Sequence, residues 1–158
     1  MGVMFWYAQK GQSKAEKILK KHAKGIAKVL PSAAEQEAFA EDILKTDKEW
    51  EFGEKTKEGM LWGTVGSRYW VALHWNGRVM LVDSEKLGKI ETETISGTVR
   101  SGKARVHYQS HAVRFYYKSA SPKKACDQWI GFDSKDNQRQ LLALARKRVG
   151  ENVEYMML

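Results

Sequence analysis

Between Glu93 and Asp127 the chain contains no aspartate or glutamate. At the overall acid content of 19 in 158 residues, a stretch of that length would carry about four by chance. The gap leaves Arg100, Lys103, Arg105, Arg114, Lys118, Lys123 and Lys124 without a local counter-charge. Cysteine is scarce as well. The single Cys126 excludes an intrachain disulfide and any zinc or iron–sulfur site built on several thiolates. No apolar run approaches the ~20 residues of a membrane-crossing helix. The apolar run near the N terminus has neither the basic region nor the small-residue cleavage site of a signal peptide. No Walker loop, G-x-G-x-x-G, G-x-S-x-G or H-E-x-x-H occurs, so no cofactor is expected. A reducing, cytoplasmic setting is the expectation, with nucleoid association as its extension.

What is present is positive charge, unevenly placed. The formal charge is +8 and the pI near 9.5, which favours polyanionic partners. Residues 1–99 carry 15 Lys+Arg against 14 Asp+Glu, and residues 100–158 carry 12 against 5. The excess therefore belongs to the last third. Hydrophobic and charged fractions of 42% and 29% are those of a globular chain. A length of 158 residues fits a single domain over 1–158; the alternative is a subdivision into a helical hairpin (1–46) and a sheet with a C-terminal helix (47–158).

Ser13 and Glu16 form a capping box ahead of Ala15, Ile18, Leu19, His22, Ile26, Val29 and Leu30, which recur at helical steps. Lys14, Lys17, Lys20, Lys21, Lys24 and Lys28 take the opposite side, and Pro31 ends the helix. Ser32 and Glu35 open a second helix, with Phe39, Ala40, Ile43 and Leu44 inward and Glu35, Glu37, Glu41 and Asp42 outward. After Thr46 the period changes to two, as in strands. Asn76-Gly77 between two apolar runs predicts a β-hairpin with a type I′ turn, pairing Leu73 with Met80 and Val71 with Val82. Both faces of that hairpin are apolar, which predicts a sheet buried on both sides. Ser96-Gly97 and Ser101-Gly102 are turn signals, Lys103–Tyr108 and Ala112–Lys118 are strands, either continuous or joined through Gln109–His111, and Asp133-Ser134 supplies the N-cap of a last helix that Gly150 closes. Residues 153–158 form a candidate final strand, and residues 3–7 an edge strand or tether. The expected fold is α+β: an N-terminal helical hairpin packed on a mostly antiparallel sheet of five to seven strands, with a C-terminal helix.

Strand parity places Lys103, Arg105, His107, Val113, Phe115 and Tyr117 on one face, and Ala104, Val106, Tyr108, Ala112, Arg114, Tyr116 and Lys118 on the other. Neither is a clean core face, so cations and rings must meet solvent or a ligand. Guanidinium and ammonium groups suit phosphates, and rings can stack on bases. The candidate contacts are Arg100, Lys103, Arg105, His107, Arg114, Tyr116, Tyr117, Lys118, Lys123 and Lys124, extended by Arg146, Lys147 and Arg148 on the last helix. The plain alternative is a solvated sheet with ordinary Tyr–Arg packing. His107 and His111, four apart on a strand, stand about 13 Å from each other, too far to share a zinc. Asp47, Glu49, Glu51, Glu54 and Glu58 are dense, and Asp83, Glu85 and Lys86 follow the hairpin, the residue types of a metal-dependent nuclease; Glu49 with Glu51, and Glu91 with Glu93, read more simply as exposed strand faces. Cys126 reads as a simple small thiol.

Gly97 to Lys103 leading into strands, then Trp129 to Ser134 leading into a helix with Ala143 and Ala145, resembles the AP2 and integrase-arm class over roughly residues 97–150. In that class a three-stranded sheet backed by a helix reads DNA, so the resemblance implies a fold-level analogy. The reading of the residues is a non-enzymatic nucleic-acid-binding protein, with DNA or RNA left open. A protein–protein adaptor or inhibitor docking an acidic partner is second and a small nuclease third. No membrane partner is expected, and the oligomeric state is open.

Overall fold

The computed structural model describes residues 14–45, 51–56, 59–119 and 125–158. The architecture is α+β and divides into two compact units, Met1–Glu85 and Lys86–Leu158. Each has its own four-stranded sheet, where one sheet of five to seven strands was expected. The division falls within a 3₁₀ turn at Ser84–Lys86, after which the chain pairs with later strands. The strand or tether expected at residues 3–7, the Ser13 cap, Asp47, Glu49, Glu58, Lys123 and Lys124 lie outside the described residues.

In the first unit the expected first helix is two, α1 (Lys14–Lys21) and α2 (Ala23–Val29), bent at His22. The His22 ring is buried, with Nδ1 2.9 Å from the Ile18 carbonyl oxygen and Nε2 2.8 Å from that of His74. These contacts tie the bend to the sheet. Lys17, Lys20, Lys21, Lys24 and Lys28 are exposed, as the helical stripe requires. In α3 (Ala33–Lys45), Ser32 Oγ accepts from Glu35 N at 3.3 Å. Leu19, Ile26, Leu30, Phe39 and Ile43 form the core with Trp62, Tyr69, Val71, Leu73 and Leu81 of the sheet.

That sheet is an antiparallel meander of β1 (Glu51–Thr56), β2 (Gly59–Val65), β3 (Tyr69–His74) and β4 (Val79–Asp83). Every residue of β3 is buried, so both of its faces are covered, as the two apolar faces predict. The β3–β4 hairpin forms, but its register differs by one residue from the expected one. Leu73 faces Val79, and Val71 faces Leu81. Gly77 has positive φ whereas Asn76 does not, and Gly77 N donates to the His74 carbonyl at 2.9 Å. The connection is therefore a three-residue loop ending in a left-handed glycine, and the type I′ turn is not made. Asn76 Oδ1 accepts from Arg78 N instead, at 3.1 Å.

Asp42, expected to face outward, turns in. Its carboxylate accepts from the backbone N–H groups of Ser67 (3.1 Å), Arg68 (2.9 Å) and Tyr69 (2.7 Å), and from the Ser67 hydroxyl. A side chain on Gly66 would collide with that carboxylate and with the Tyr69 carbonyl, so glycine permits the approach.

The second unit orders its strands β7-β6-β5-β8. β5 (Leu87–Ser101) and β6 (Ala104–Tyr117) form one long antiparallel hairpin; β7 (Gln128–Phe132) pairs antiparallel with β6, and β8 (Glu154–Met157) parallel with β5. Ser96-Gly97, read as a turn, lies within β5, and the strands on either side of Gln109–His111 are continuous in β6, one of the two expected alternatives. α4 (Lys135–Val149) packs against β6 and β7, capped by Ser134 Oγ on Asn137 N at 3.3 Å and closed by Gly150 at φ 57°. Its Gln138 carboxamide donates to the Ala112 carbonyl at 3.0 Å, and Leu141 and Ala145 are buried. Ile90, Thr92, His111, Val113, Phe115, Ile130 and Phe132 are buried on one sheet face. β5, β6 and β7 are antiparallel with α4 against β6 and β7, and β8 adds a fourth, parallel strand.

Candidate nucleic-acid interface

β8 reaches β5 only as far as Thr92, and β7 reaches β6 only from His111 onward. Among the described residues, the rungs beyond those points, from Ile95–Ser110 to Ser101–Ala104, pair only with each other. Seven rungs at strand spacing make an arm roughly 20 Å long. It turns at Gly102-Lys103, with Gly102 at φ 61° and Lys103 at negative φ, the pattern of a two-residue type II′ loop. From Thr98 to Ala104 and on to His107 every described side chain is exposed.

Alternation sorts the arm into two unlike faces. Thr98, Arg100, Arg105 and His107 share one, with Arg100 opposite Arg105 and Thr98 opposite His107. These four line an open, polar concavity of about 380 Å³. The His107 ring is held by Nδ1 at 3.2 Å from Thr98 Oγ1. The reverse face carries Ile95, Val99 and Val106, each about 39–49% exposed. Tyr108 lies across Gly97 on that same side, where any Cβ on residue 97 would strike its ring. No acidic residue stands anywhere on the arm.

The remaining expected contacts fall elsewhere. Arg114 occupies the opposite face to Arg105, nearer the base, where Nη1 lies 2.9 Å from Glu91 and Nη2 2.8 Å from Glu93. Those two carboxylates raise the guanidinium's pKa against the cost of its burial, and they neutralise it. Tyr116 is buried, with the Lys89 ammonium 4.2 Å above its ring, and burial pushes its phenol above the usual range. Tyr117 and Lys118 lie beside Leu87 and Lys86 at the end of the hairpin away from the tip. Arg146 stacks at 4.7 Å on Tyr155, which pairs with Ile90 at that same base, and Lys147 is exposed while Arg148 is half-buried. Of the expected residues, then, Arg100, Lys103, Arg105 and His107 are brought together, and Arg146, Lys147, Arg148, Tyr117 and Lys118 are at the far end of the sheet. Sequence reasoning missed Thr98 as their neighbour; its signal is the register of the hairpin across Gly102-Lys103.

The other candidate chemistry is accounted for by local contacts. His111 is buried, with Nδ1 3.0 Å from Thr94 Oγ1. Among the described residues no three His, Cys, Asp or Glu side chains come together around a metal position. Glu51 accepts from the Trp62 indole at 2.8 Å, and Asp83 takes a two-pronged contact from Arg68 at 3.1 and 3.0 Å. Burial pushes the Cys126 thiol above its ordinary 9.0. Among the described residues no helix is long and apolar enough to cross a membrane. No family model matches the chain, and no curated protein or solved structure is significantly similar to it.

Proposed function

We propose that this is a non-enzymatic nucleic-acid-binding protein whose contact element is the β5–β6 arm. The observation that carries the reading is one exposed strand face bearing Arg100, Arg105 and His107, with Lys103 at the turn, on a stretch free of carboxylates. Such a face is uncompensated within its own element. Phosphate groups compensate it through charge-assisted hydrogen bonds, and the counterions they release add an entropic gain. Two guanidinium groups on facing rungs can hold one phosphate between them or two neighbouring ones.

The test is a mobility shift with random-sequence DNA and RNA at two salt concentrations. Binding is expected at low salt, with a slope of log K on log salt of roughly −3 on duplex for the three cations Arg100, Lys103 and Arg105 engaged. Replacing Arg100 and Arg105 by Gln together is expected to flatten that slope by about two. Absence of any shift at low salt removes the reading and leaves the arm as a docking face for an acidic protein.

A further inference from the structure

We infer that the ligand of the arm is duplex DNA in the B form, entered through its major groove, in preference to single strands or duplex RNA. The inference rests on the nucleic-acid reading above and narrows it. Three features select the ligand.

The first is what the cationic face lacks. Non-specific single-strand binders pair a basic groove with aromatic rings on which bases stack. On this face the side chains from Thr94 to Arg100 and from Arg105 to His111 include no Phe, Tyr or Trp. The nearby rings are engaged elsewhere: Tyr108 lies over Gly97 on the reverse face, and Tyr116 is buried under Lys89. A single strand would find charge here and no stacking platform.

The second is shape. Among the described residues the arm is a ribbon of two strands, because β7 and β8 stop at its root. The B-DNA major groove, about 12 Å wide and 8.5 Å deep, admits a two-stranded ribbon. The major groove of A-form RNA is deep and too narrow for side chains to read.

The third is the kind of polar group presented. Arg100, Arg105, Thr98 and His107 surround one concavity and offer donors along two facing strands. Arginine forks match the acceptors of guanine in the major groove as well as phosphate oxygens. Lys103 at the tip then reaches the sugar–phosphate rim.

The test uses the full chain and four labelled 20-mers of one sequence: single-stranded DNA, duplex DNA, single-stranded RNA and duplex RNA, read by fluorescence anisotropy at one salt concentration. Duplex DNA is expected to bind at least about tenfold more tightly than the other three. Duplex whose cytosines carry glucosylated hydroxymethyl groups, which fill the major groove, should lose most of that advantage. Netropsin, occupying the minor groove, should leave binding unchanged. Equal or tighter binding to single strands or to duplex RNA overturns the inference while sparing the nucleic-acid reading, as does displacement by netropsin. Failure of all four probes removes both.

Discussion

Arg100 and Arg105 stand directly opposite one another on the same face of the β5–β6 arm, two like charges on one rung. Facing pairs of this kind oppose strand pairing, by a fraction of a kcal/mol to about 1 kcal/mol relative to a neutral pair. The arm holds this arrangement at a cost to its own stability. An anionic ligand relieves it.

Replacing Arg105 by Glu converts the rung into an attractive pair. Thermal unfolding should show unchanged or slightly higher stability, by roughly 0.2–1 kcal/mol. Nucleic-acid affinity should fall at least tenfold in the same preparation. A variant that lost affinity only by unfolding would show the opposite stability change.

Neighbouring residues on the two faces should respond differently. Arg100→Gln is expected to weaken binding several-fold, since it removes a charge from the cationic face. Val99→Thr changes the reverse face, one residue away, and keeps a β-branched side chain. Its affinity should stay within about twofold of the parent. Equal losses in both variants would place the contact on the arm's edge or on its reverse.

Arg114 is expected to matter for stability and not for binding. Its guanidinium sits between Glu91 and Glu93, and the Glu91 side chain is only 12% exposed. Arg114→Ala leaves two close carboxylates without their partner, which should cost about 1–3 kcal/mol in denaturant unfolding. Measured well below its midpoint, the variant should bind nucleic acid like the parent. Weakened binding by a folded variant would bring Arg114 into the interface.

Gly66→Ala should destabilise the first unit by about 1–3 kcal/mol, because the added methyl drives the Asp42 carboxylate off three backbone N–H groups. Asp42→Ala removes the same acceptor without adding bulk. If the two losses arise from one contact, the double variant should be little worse than either single one.

The thiol supplies a pH prediction. Burial raises the Cys126 pKa in the folded chain above its ordinary 9.0, although Arg114 offsets part of the shift. The folded state therefore holds this proton to higher pH than the unfolded chain does. Its contribution to stability is complete below the ordinary value and is lost as pH climbs through the raised one. Iodoacetamide at pH 8 should modify the folded protein several-fold more slowly than the urea-unfolded chain. Equal rates would mean an exposed, ordinary thiol.

Much of the fold was legible because its signals are local. The stripes of Leu19, Ile26, Phe39 and Ile43, the Ser134 cap and the Gly150 stop each follow from residues a few positions apart. The β3–β4 register was not, since Val79 and Leu81 are as apolar as Met80 and Val82, so either set satisfies the inward face. Gly97 reads as a turn because its reason for being glycine is Tyr108, eleven residues later. In the site, the charge gap located Arg100, Lys103, Arg105 and His107, and parity put Arg105 and His107 on one face. Parity cannot see Glu91 and Glu93 more than twenty residues upstream of Arg114, and so could not tell a neutralised guanidinium from an available one.

From the Lys89–Tyr116 rung to the tip the register of the hairpin is unbroken, and the face that carries Val113 and Phe115 inside becomes the face that carries His107 and Arg105 outside. Interior packing thus acts as a proofreader for a region it never touches. Sliding one strand by a single residue would eject two core side chains at the root while turning the cations away at the tip. Paired insertions near Gly102 would lengthen the arm and keep its orientation, whereas a lone inserted residue would reverse everything beyond it.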